Sequence, residues 1–147
     1  QLVGAKCQAL GMRVLSTVHL HRPEGCECET MKFVPMDELL STSDVLILCA
    51  PGGDRALVDG ESLAKMKDGV VIVNVSRGSN VDEAALLDAL NSGKVRAAGL
   101  DVWMNEKAPN WALAQHPAVS CTPHIGAGTK EAQKRIGQEL VDIIEGF

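Results

Sequence analysis

The chain has 147 residues, a length that fits one domain. With 46% hydrophobic and 22% charged residues its composition is that of an ordinary globular protein, which excludes disordered, collagenous and low-complexity classes. The net charge of −5 offers no basic footprint for nucleic acid, and no run of about 20 apolar residues is available to span a membrane.

Aromatic residues are only 3% and Tyr is absent, so the core must be built from Val, Leu, Ile, Ala and Met, as buried parallel sheets often are. In chain order, Gln1 to Leu10 reads as a helix stopped by Gly11. Met12 to Val18 reads as a short strand, and His21 to Thr30, with Pro23 and Gly25, as a loop. Met36 to Ser41 is a short helix with Asp37 and Glu38 in its first turn. Apolar runs then alternate with helical stretches. The runs are Asp44–Cys49, Val70–Val75, Val95–Leu100 and Ala118–Cys121; the helices span about Glu61–Met66, Asp82–Asn91 and Thr129–Glu145. In the last helix Ala132, Ile136, Leu140 and Ile143/Ile144 recur at helical spacing. Strands alternating with helices predict a doubly wound α/β fold, a Rossmann-like parallel sheet with helices on both faces.

In open parallel sheets, ligands bind beyond the carboxyl ends of the strands. Each apolar run here ends in a turn or a reactive residue: Ala50-Pro51, Ser76-Arg77, Asp101 and Thr122-Pro123-His124. An arginine, an acid and a histidine brought to one edge form a set that can hold an anion and move a proton. Glu106, in a polar loop, reads from its surroundings as a solvated carboxylate. Trp103 and Trp111 read as packing residues, and His19, His21 and His116 as solvated or structural. The five cysteines, Cys7, Cys26, Cys28, Cys49 and Cys121, are odd in number, which fits a reduced, cytoplasmic setting. Cys26 and Cys28 stand too close for the usual zinc spacing, so no metal site is expected.

Several spaced stretches resemble the NAD-binding domain of the D-isomer-specific 2-hydroxyacid dehydrogenases. They are Met66-Lys67-Asp68-Gly69, Val73-Asn74-Val75-Ser76-Arg77-Gly78, Val81-Asp82-Glu83-Ala84-Ala85-Leu86, Ser92-Gly93-Lys94-Val95, Ala98-Gly99-Leu100-Asp101-Val102-Trp103 and Thr122-Pro123-His124-Ile125-Gly126-Ala127. The resemblance implies hydride transfer between a nicotinamide and C2 of a small 2-hydroxy acid, with the phosphoglycerate-type members nearest. It implies that Arg77 binds the substrate carboxylate, that His124 is the general acid/base, and that Glu106 is its carboxylate partner. It also implies a cofactor lining of Ala50, Pro51, Val75, Ser76, Arg77, Asp101, His124, Gly126 and Ala127, with Asp101 at the nicotinamide amide.

Set against the family pattern, residues 1–147 read as a partial dinucleotide-binding domain. The first central strand and its glycine-rich loop are expected upstream of Gln1, and a separate substrate domain is expected elsewhere. The absent strand is placed between the Met12 and Asp44 strands on one side and the Val70 strand on the other. Such a piece is expected to be inactive or feeble alone and to bind NAD weakly. Val18 stands where the family carries an acid, and His19, His21 and Arg22 follow it. NAD is therefore the expected coenzyme, with NADP as the alternative. Lys107 after Glu106, and Cys49 at a usual histidine position, are further departures. The full-length protein is expected to be a homodimer. Two alternatives stand beside the main reading: an NADPH-dependent glyoxylate/hydroxypyruvate reductase, and a non-catalytic NAD(H)-sensing module like the corepressors that share this fold.

Overall fold

Four short strands pair in parallel in chain order: β3 (Val45–Leu48), β4 (Val70–Asn74), β5 (Val95–Leu100) and β6 (Val119–Cys121). The computed structural model describes residues 2–17 and 31–146. Val18, the loop expected from His21 to Thr30, and Cys26 and Cys28 lie outside them. β4 is one of the two inner strands; its Val70, Ile72 and Asn74 are buried while Val71 and Val73 are half-buried. Ile72 is fully buried, opposite Leu46 of β3 and Ala98 of β5.

Three crossover helices join these strands: α3 (Gly60–Lys65), α4 (Glu83–Asn91) and α5 (Trp111–Ala114). Consecutive parallel neighbours joined by right-handed crossovers place their helices on one face of a sheet. The mutual contacts of α3 with α4 and of α4 with α5 agree with that placement. α4 starts where its sequence dictates, because the Asp82 carboxylate accepts from the amides of Ala84 and Ala85. α3 opens on a reciprocal cap between Asp59 and Ser62. Leu63, Leu86, Leu90 and Leu113 from these helices close on Val70, Ile72, Val95 and Leu100 as one core.

A second, two-stranded parallel sheet holds β1 (Val14–Ser16) and β2 (Met31–Phe33), with α1 (Leu2–Ala9) against β1 and α2 (Met36–Thr42) leading to β3. β2 and α5 are absent from the sequence reading. Three residues, Met-Lys-Phe, carry too little alternation to mark a strand, and α5 is a single turn capped by Asn110. The pairing corrects the place expected for the strand upstream of Gln1. β3 and β4 are hydrogen-bonded neighbours, so nothing inserts between them. The sheet is interrupted between β1 and β3 instead, where a cavity of about 480 Å³ is lined by Val14, Leu15 and Ser16 on one side and Val45, Leu46 and Ile47 on the other.

α6 (Lys130–Glu145) forms as its periodicity predicts, capped by Thr129. None of its residues is buried, and Ile136, Leu140, Ile143 and Ile144 face solvent. Trp111 is corrected as well: it is 64% exposed, whereas Trp103 is buried. No described helix is long and apolar enough to cross a membrane.

Candidate active site

The turn after β4 is held from beneath by a buried polar network. Asn74, the last residue of β4, donates from Nδ2 to the Arg77 carbonyl at 2.9 Å. Its Oδ1 accepts from the Ser76 amide at 3.1 Å and the Ser76 hydroxyl at 2.9 Å. Asn80 in turn donates to Ser76 Oγ at 2.9 Å and to the Ala50 carbonyl at 3.0 Å, which ties the end of β3 to the end of β4. Burial makes these bonds costly to break, so the turn carrying Arg77 is fixed. Asn74 and Asn80, whose part sequence reasoning missed, are each 1% exposed. An asparagine closing an apolar strand was the available signal.

Arg77 itself is exposed. It makes no ion pair among the described residues; its Nη1 donates to the carbonyl of Ser76 at 2.7 Å. A guanidinium with no acid beside it retains donors for an incoming carboxylate. The Ser76 hydroxyl and amide are both spent within the network. Val75, which precedes Ser76, is 51% exposed.

The turn after β6 is shaped by Asp101, at the end of β5. Its Oδ1 accepts from the Ile125 amide at 2.9 Å and from the Thr122 hydroxyl; its Oδ2 accepts from the Gly126 amide at 2.9 Å. Burial pushes the Asp101 carboxyl up, but the donors from Thr122, Ile125 and Gly126 outweigh it, and the adjacent His124 charge adds in the same sense. The net effect holds Asp101 below the ordinary carboxylate range. A Cβ at Gly126 would stand 3.0 Å from Asp101 Oδ2, so a glycine lets the amide reach the carboxylate. His124, between the Thr122 hydroxyl and these anchored amides, is held at φ 57°, a left-handed conformation costly for a residue with a side chain.

That backbone points the imidazole at Glu106. His124 Nδ1 lies 2.6 Å from Glu106 Oε1, with both side chains partly solvated. A carboxylate only accepts, so Nδ1 carries the shared proton and Nε2 is the nitrogen left for a reacting group. Thus the structure brings His124 and Glu106 into direct contact. It sets Asp101 behind them as the scaffold of the His124 turn, and Arg77 on the neighbouring strand end.

The other expected lining residues follow the strand tips. Pro51 is exposed, Ala50 is half-buried with its carbonyl held by Asn80, and Ala127 is exposed with its carbonyl held by Gln133. Val75 and Ile125, beyond the ends of β4 and β6, are exposed apolar side chains, the kind of surface on which a flat nicotinamide ring can pack. His116 is structural, its Nδ1 accepting from the Ala118 amide. Cys7 is half-buried; Cys49 and Cys121 are exposed, and all three are free thiols.

A parallel α/β sheet with a carboxylate-paired imidazole and a guanidinium that has no acid partner among the described residues, both at its strand ends, has the architecture of a nucleotide-binding domain of dehydrogenase type. Residues 1–126 match the family model "D-isomer specific 2-hydroxyacid dehydrogenase, NAD binding domain". The chain is 45% identical over its whole length to a hydroxypyruvate reductase of Blautia hydrogenotrophica, 46% of which it covers. It is 40% identical over 98% of its length to a D-3-phosphoglycerate dehydrogenase of Mycobacterium leprae, of which it covers 28%. The crystal structure of a D-lactate dehydrogenase from Aquifex aeolicus, complexed with NAD and lactic acid, superimposes with a TM-score of 0.86 at 32% identity, over 99% of this chain and 49% of that one. The chain therefore belongs to the D-isomer-specific 2-hydroxyacid dehydrogenase family, as its NAD-binding domain. It spans less than half the length of each of these relatives.

Proposed function

We propose that the chain is the nucleotide-binding half of an oxidoreductase that interconverts a small D-2-hydroxy acid and its 2-keto acid, with 3-phosphoglycerate as the substrate. The observation that carries this reading is the 2.6 Å contact between His124 Nδ1 and Glu106 Oε1, with Arg77, which has no acid partner among the described residues, following β4. Bound NAD supplies the hydride acceptor. The protein's own residues do the rest. Arg77 holds the substrate carboxylate through two parallel N–H bonds, which fixes the face that C2 presents. His124 Nε2 takes the proton of the 2-hydroxyl as the acid is oxidised and returns it on reduction. Glu106 orients the imidazole and stabilises its positive form while it holds that proton.

A second reading, reduction of hydroxypyruvate or glyoxylate, is favoured by the 45% identity to the Blautia hydroxypyruvate reductase. The coenzyme of the first reading is NAD, with NADP the alternative raised by Val18; the second reading uses NADPH. On its own the chain is proposed to bind NAD weakly, because β1 and β3 leave the sheet open between them.

One experiment tests these points. The matching half of the Blautia enzyme is replaced by residues 1–147, and the chimera is assayed with NADH and NADPH against 3-phosphohydroxypyruvate, hydroxypyruvate, glyoxylate and pyruvate. Relative to the parent Blautia enzyme, a shift of preference towards the phosphorylated acid supports the first reading, and a preference for hydroxypyruvate or glyoxylate as strong as the parent's counts against it. A folded chimera with no turnover on any of them would remove the enzymatic reading. Rates with NADH equal to or better than with NADPH exclude the NADP alternative. Calorimetry of the isolated chain with NAD closes the set; micromolar affinity would overturn the proposed weakness.

A further inference from the structure

We infer that Glu83 is a positioning residue for this site: its carboxylate clamps the loop carrying Glu106 onto the Arg77 turn and so sets the Glu106–His124 contact. The inference rests on the reading of Glu106 as the partner of a reacting imidazole.

Glu106 lies in an irregular, exposed segment between β5 and α5. The bonds of that segment are local: the Lys107 amide donates to Asn105 Oδ1 and the Ala108 amide to the Asn105 carbonyl. They shape a turn and leave its place on the protein open. That place is fixed just upstream, by three independent ties. The Met104 amide donates to Glu83 Oε1 at 2.8 Å, across 21 residues of chain. Glu83 is the first residue of α4, whose start is anchored by the Asp82 cap, so the acceptor stands on a rigid element. Gly78, next to Arg77, packs directly on the Trp103–Met104 peptide, with no room there for a Cβ. Buried Trp103 donates from Nε1 to the Thr122 carbonyl at 3.3 Å, two residues before His124. The loop is thus pinned between the segments that carry Arg77 and His124, and Glu83 supplies the one charge-assisted bond among the three ties.

Glu83 also sits in the first turn of α4, where any negative charge is favourable. Reach separates that role from the clamp. Glu83→Asp keeps the charge at the helix start but shortens the side chain by one methylene, too far for the 2.8 Å bond. Glu83→Gln loses the charge but keeps an oxygen at the right distance.

The test compares Glu83→Ala, Glu83→Asp and Glu83→Gln in the 147-residue chain by amide hydrogen exchange and by the NMR resonance of the proton shared by His124 and Glu106. The clamp predicts exchange at Met104 roughly tenfold to a hundredfold faster in the Ala and Asp variants, with the shared-proton signal broadened or lost. The Gln variant should restore both towards wild type. Unchanged Met104 exchange in Glu83→Ala overturns the clamp. Faster exchange with the His124 signal intact overturns the positioning role. An Asp variant that behaves like wild type assigns Glu83 to the helix dipole instead. In the chimera, the Ala and Asp variants should lower kcat with KM little changed. If the chimera with the native loop is itself inactive, the functional reading fails while the exchange result still decides the clamp.

Discussion

Replacing Gly78 by Ala adds one methyl group at the point where the Arg77 turn meets the Glu106 loop. A Cβ there falls well inside the 3.0 Å that real Cβ atoms keep from the Trp103 carbonyl and the Met104 nitrogen, and both obstacles are backbone. Ordinary contact begins at 3.4 Å, so the two segments must separate by roughly 1 Å or more, and no side chain can turn aside to absorb it. Overpacking of this kind costs about 1–3 kcal/mol. At roughly 2–4 °C per kcal/mol for a chain of this size, the melting temperature should drop by several degrees. Gly60 provides the control, since a Cβ there meets nothing within 4 Å and the residue is helical. Gly60→Ala should be neutral or slightly stabilising. Thermal melts by circular dichroism measure both variants, and the His124–Glu106 proton resonance reads the geometry. In the chimera, a displacement near 1 Å at the acid/base pair should lower kcat by about a hundredfold. A Gly78→Ala protein that melts with the wild type and keeps the His124 signal would show that the two segments do not press on one another, and the reasoning would fail.

Four further outcomes follow from the same structure. Ile72→Ala, at the fully buried centre of β4, should cost about 2–5 kcal/mol in urea unfolding; a loss under about 1 kcal/mol would contradict a close-packed core there. Asp101 has its pKa lowered from 3.8 in the folded chain, so its contribution to stability is present above 3.8 and is lost as pH falls below that value through the folded one. Asp101→Asn should therefore be less stable than wild type at about pH 7, with the difference shrinking at about pH 3; a constant difference in urea midpoints would refute this. In the chimera, His124→Ala should lower kcat by about 10²–10⁴-fold with NAD affinity unchanged, and Arg77→Lys should mainly raise KM. Turnover within a few-fold of the parent after His124→Ala would remove His124 from the proton transfer.

The places of Arg77, Asp101 and His124 were legible in the sequence, because each closes a short apolar run and parallel strands end on the same edge. The cap at Asp82 and the helix it starts were legible for the same local reason. Glu106 was not. It lies in a loop without periodicity, and only likeness to a family marked it before the structure set it against His124. Asp101 could be read as a residue facing the cofactor, but its oxygens hold the amides that follow His124, a partnership across 24 and 25 residues. The face of α6 was correctly spaced, yet spacing alone did not say whether anything covers it.

Sequence by itself determined the type and order of every described α-helix and strand except β2 and α5, since hydrophobic period and capping chemistry act over a few neighbouring residues. Tertiary structure alone decided that the sheet is interrupted between β1 and β3, that Gly78 and Glu83 hold the Glu106 loop, and that a carboxylate and an imidazole 18 residues apart share a proton. Those are contacts between segments brought together by the packing of a common core, and local periodicity carries no record of them.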